Sequence, residues 1–222
     1  MSIRSLNRSG TLLIIAGLLI AIPMLFHPDD RLPDFALQTA WVPVHLLMGI
    51  GTIAALAGLA LLYGGMQNRM TAFGRLAFGT SLLGTAFFIG LMFFVEATLF
   101  PALLNDPAGA RLLGENGPLF AGPFGIAVMG SLAIISLGYI LLAIYLTATR
   151  IISVLNGILF LGGPFAAFAP PLPYVAEVIG GVVLGIAITW LGFSVRNGFA
   201  HKALEEDIRV QDQCLTQARG HA

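Results

Sequence analysis

The chain has 222 residues, of which 57% are hydrophobic and only 10% charged, and its mean hydropathy is +0.90. A soluble domain carries about 25% charged residues, so these numbers exclude one and point to a polytopic membrane protein. Eleven basic residues balance eleven acidic ones, which gives no field for nucleic acid, and the lone Cys214 excludes an intramolecular disulfide and CxxC chemistry.

Arg4 and Arg8 precede an apolar run from Thr11, as in a signal peptide. Pro23, Met24 and Phe26 stand where the small-residue cleavage site would fall, so the run reads as a retained first helix. A spanning helix needs about 20 mostly apolar residues, and six segments qualify, at approximately 10–27, 41–65, 73–99, 119–147, 151–169 and 173–195. The breaks HPDDRLPD, NDPAGARLLGENGP and APPLP hold the Pro, Gly and acidic residues that stop helices. Pro164 follows a glycine pair in the fifth segment and predicts a kink or an abrupt end there. The expected fold is an all-α integral membrane bundle of six helices over residues 1–196, with a short polar tail over 197–222. That tail has a weak helical tendency over 200–215.

Arg4, Arg8, Arg69, Arg75, Arg150, Arg196, Lys202, Arg209 and Arg219 fall on one side of this arrangement, and only Arg31 and Arg111 on the other. The positive-inside rule then puts both termini in the cytoplasm, as expected in a bacterial-type plasma membrane. Lipid is the first partner this implies. Gly181 and Gly185 form a GxxxG, and Gly51 and Gly58 give the second helix a small face. Close backbone approach across such residues holds membrane helices together, within the chain or in a homo- or hetero-oligomer.

Titratable groups inside a membrane are costly and by default functional. At about 1.5 Å rise per residue, His27 lies about 28 Å from Arg8, Glu96 about 31 Å from Arg75, and Glu177 about 28 Å from Arg196; His45 lies about 36 Å from Arg69. Four helices thus carry His27, His45, Glu96 and Glu177 at one level, near the outer edge of the hydrocarbon. Met24 precedes His27 by three residues, Met48 follows His45 by three, and Met92 precedes Glu96 by four. Those spacings put each pair on one helix face.

Such a layer suits a metal. Imidazole binds copper, iron and zinc, and thioether sulfur favours Cu(I). His27, His45, Glu96, Glu177 and Met92 form the metal-ligand set on this reading. A b-type haem held by His27 and His45, or by one of them with Met24 or Met48, is the other cofactor the pattern allows. Each residue also has a plainer role. His27 in HPDD can be a solvated helix cap, and His45 can bond a loop carbonyl. The methionines can be packing filler, and Glu96 and Glu177 can bond across helices. Asp29, Asp30 and Asp34 lack calcium-loop spacing and read as solvated surface. Trp41 and Tyr174 read as interfacial anchors, and Asn156 as an interhelical hydrogen bond.

Phosphate loops, HExxH and GxSxG motifs are absent from the sequence. Three functions remain: a haem- or metal-binding redox protein, a small proton-coupled transporter using Glu96 and Glu177, and an accessory subunit of a membrane complex with no chemistry of its own.

Overall fold

The computed structural model describes residues 3–113, 117–168 and 173–220. These are helical almost throughout, with no strand among them. Helix α1 is Ile3–Met24 and α2 is Trp41–Met66, joined through a 3-10 turn at Phe35–Leu37. Helix α3 (Ala72–Gly90) passes into a π-helical segment, Leu91–Leu99, and then into α4 (Phe100–Leu104). The short helices α5 (Pro107–Leu113) and α6 (Pro118–Ala121) lead into α7 (Pro123–Ala148). Helices α8 (Val154–Phe168) and α9 (Tyr174–Gly220) complete the chain.

Five stretches are long and apolar enough to cross a membrane: Ser5–Met24, Trp41–Arg69, Ala72–Leu104, Pro123–Ala148 and Tyr174–Gly198. This fits a helical multi-pass membrane protein. α8, at the place of the expected fifth span, is apolar but shorter than a span. It starts late because Arg150 ends α7 with φ 58 and the chain turns before Val154. The fourth expected helix is broken at Gly122, where ψ is −167 and Pro123 restarts the helix. The backbone of α9 runs on to Gly220, joining the tail to the last span.

Helix α1 packs chiefly on α9 and α2, α3 on α7, and α8 on α9 and α7. Small residues set the closest approaches. A Cβ built on Gly185 would lie 2.7 Å from Ala21 N and from Gly17 O. One built on Gly84 would lie 2.5 Å from the Ile135 Cα. Gly51 and Gly58 face Leu19 and Leu13 of α1, and Gly181 faces the Met24 side chain. Gly51, Gly58, Gly181 and Gly185 all pack against α1 within the chain. Ser9 adds a hydrogen bond to Gly58 O at 2.8 Å, and Ser81 one to Gly138 O at 2.8 Å.

Candidate functional site

Pro28 disfavours helical geometry at the residue before it, so α1 stops at Met24. The chain tightens through three i→i−3 bonds, the last from His27 N to Met24 O. His27 thus sits just past the helix, not inside it as the first expected segment had it. Its ring turns back towards α2. There Trp41 and His45 are four residues apart on one face of the first turns. Trp41, His45 and His27 are 2%, 2% and 8% exposed, and their rings pack together. The Trp41–His45 centroids are 4.2 Å apart, and the His27–His45 centroids 4.9 Å with an interplanar angle of 66°.

The imidazole hydrogen bonds decide the tautomers. His27 Nδ1 lies 2.8 Å from Pro28 O, and His45 Nδ1 lies 2.8 Å from Trp41 O. A carbonyl oxygen only accepts, so both Nδ1 atoms carry the proton and donate. Both Nε2 atoms of the neutral rings are then bare lone pairs, and they face each other at 3.2 Å. Two lone pairs at that distance repel unless a proton or a cation lies between them. Burial lowers the proton affinity of His27; its bond to Pro28 O and the charges of Asp30 and Asp29 offset this only in part. The Glu96 carboxylate lies 3.9 Å from His45 Nε2.

Glu96 reaches this point because of the π-helical segment. Phe100 N–H bonds Val95 O, five residues back, and Pro101 has no N–H to give. Glu96 O is therefore available, and the Trp41 indole N–H donates to it at 2.7 Å. The indole ties α2 to the π segment directly beside the histidines. Irregular turns of this kind are frequent at functional sites. On the other side the Tyr174 hydroxyl of α9 donates to His27 O.

These groups close one end of a cavity of about 690 Å³ between α1, α2, α3, α7 and α9. Met24, His27, His45, Met48, Met92, Glu96 and Glu177 all line it, so every candidate site residue is brought to one space. Among the described residues, no group of three or more His, Cys, Asp or Glu side chains is gathered closely enough to hold a metal ion.

No protein-family model, curated protein or solved structure matches the chain.

The structure corrects several roles. Trp41 is not a lipid-facing anchor but a buried donor against the histidines. Its i, i+4 spacing to His45 was the available signal. Tyr174 is only half-buried and adds a hydrogen bond to the His27 carbonyl. Asp30, expected on a solvated loop, is exposed yet lines the cavity, as does Arg31. Asn156 is fully buried, but its side-chain amide has no hydrogen-bond partner among the described residues, so the expected interhelical bond is absent there. Tyr139, bonded by Thr85 at 3.2 Å, lines the cavity from the middle of α7; nothing in its apolar sequence context marks it.

Proposed function

We propose that this chain is a membrane metal protein whose ion is held by the Nε2 atoms of His27 and His45, with redox chemistry as its use. The observation that carries this is the pair of bare nitrogens 3.2 Å apart, each ring fixed by a backbone carbonyl on its other nitrogen. Metal-binding imidazoles are held in this way by outer partners. At metal–nitrogen lengths near 2.0–2.1 Å, two nitrogens on one tetrahedral ion lie about 3.3 Å apart, and two on opposite sides lie about 4 Å apart. The separation supports a single ion bound side by side over a haem b bound between the rings. The Glu96 carboxylate, 3.9 Å from His45 Nε2, is the acidic group beside this two-nitrogen site and is not counted among its ligands. The thioethers of Met24, Met48 and Met92, which line the same cavity, favour copper among the imidazole-binding metals. The nine-to-two split of basic residues supports both termini inside, the site near the outer face, and α8 as the sixth crossing.

The test is metal analysis and an optical spectrum, oxidised and reduced, of the protein purified in mild detergent, beside His27→Ala and His45→Ala. Stoichiometric copper or zinc in the parent, lost in both variants, is the expected result. A Soret band would replace the ion with haem. A blank on both would remove the metal and leave the second reading, a proton-coupled carrier using Glu96 and Glu177. That reading is favoured only by their sharing one cavity.

A further inference from the structure

The cavity is much larger than an ion needs. About 690 Å³ lies in the range of sites for drug-sized ligands. Its wall on α7 is a stripe of Val128, Leu132, Ile135 and Tyr139, one residue per turn. At about 1.5 Å per residue that stripe extends for about 16 Å along the helix. The site is therefore elongated, apolar along its length and polar at one end.

The polar end limits what the head of a ligand can be. Asp30, Glu96 and Glu177 surround it with three carboxyl groups against the single guanidinium of Arg31. An anionic head, as in a fatty acid or phospholipid, finds no net positive charge there. An ion on His27 and His45 would in turn repel a cationic head; this step rests on the metal reading above. A neutral head remains. The rings beside the histidines suit a flat one: Phe35 meets Trp41 at 4.7 Å and Phe100 at 5.6 Å, both edge to face. An ion with only two or three protein ligands keeps a position for an oxygen from such a ring.

We propose that the cavity binds a lipid-soluble phenol or quinone, its ring beside the histidine pair at the polar end and its apolar tail along the α7 stripe. The methionines at the ring end adapt to its outline.

The probe is a decyl-substituted benzoquinone, titrated into the metal-analysed full chain in lipid nanodiscs and followed by tryptophan quenching. Decanoic acid and decyltrimethylammonium serve as competitors. Expected is saturable binding that neither competitor displaces. The double variant Val128→Phe/Leu132→Phe, which fills the tail channel and leaves the histidines untouched, should weaken binding about tenfold or more with metal content unchanged. Absence of saturable binding to metal-loaded protein overturns this inference and spares the metal reading. So does displacement by either competitor, or unchanged affinity in the filled variant. Saturable, channel-dependent quinone binding to metal-free protein overturns the metal reading and keeps the cavity assignment.

Discussion

Helices α1 and α9 meet in two different ways along one seam. From Gly10 to Ala21 their backbones touch, with Gly192 against Gly10 O and Gly185 against Gly17 O. One step further the contact passes from backbone to side chain, as the Met24 thioether lies against Gly181, and there the cavity begins. The closed stretch contains small residues and leaves no space. The open stretch has long, soft and titratable side chains around a void. Small residues thus anchor the bundle at one end, and the cost of keeping a polar cavity is confined to the other.

The comparison breaks most readily at the closed end. Gly185→Leu has no room, since even its Cβ meets backbone atoms of α1 at 2.7 Å. It should destabilise by about 3 kcal/mol or more, read as lost thermal stability in detergent. Gly79→Ala, with nothing within 4 Å of a new Cβ, should instead stabilise by about 0.5–1 kcal/mol. At the open end, His45→Ala should bring bound metal to background while the protein still folds; metal retained at parent level would sink the site. Trp41→Phe removes the donor to Glu96 O and should cost about 1–3 kcal/mol in unfolding free energy. It should also weaken metal binding about tenfold, the lower end for an outer-shell partner.

The smallest effect is that of pH. His27 binds its proton more weakly in the folded chain than at its ordinary 6.5. The unfolded chain therefore takes up the proton first as pH falls. The stability that comes from keeping His27 neutral is complete above 6.5 and declines as pH drops from 6.5 through the lower folded value. Metal release should follow the same direction, and a titration of metal content against pH checks it. Occupancy rising as pH falls would contradict the role of His27.

Much of this was legible from the chain. Helix α2 matches its expected bounds almost to the residue, because Pro43 suits a helix start and the polar Gln67–Arg69 stretch follows its end. That His27, His45, Glu96 and Glu177 belong together was readable because rise per residue is fixed. Which way those side chains face was not, yet the structure turns them all to one cavity. Trp41 was misread because a buried aromatic donor and an interfacial anchor occupy the same place in a sequence. Five of the six expected spans are long enough to cross a membrane, and at α8 the hydropathy continues while the turn after Arg150 shortens the helix. The π segment was invisible, since its side chains are as apolar as any α-helical span.

That segment makes Ala72–Leu104 two rods joined with an offset, not one. Between Gly90 and Phe100 the chain holds more residues for its length than α geometry allows, so the far end is rotated relative to the near end. Restoring α-helical bonding there with every residue kept would turn everything beyond it about the axis, because each residue of an α-helix advances about 100° and each residue of an i→i−5 turn advances less. The α7-facing side of Ser81 and Gly84 would stay in place, while Phe100 and the loop beyond it would swing away from Trp41. The packing code of one half and the chemistry of the other can therefore change independently, with the irregular turn as the joint that sets their relative phase.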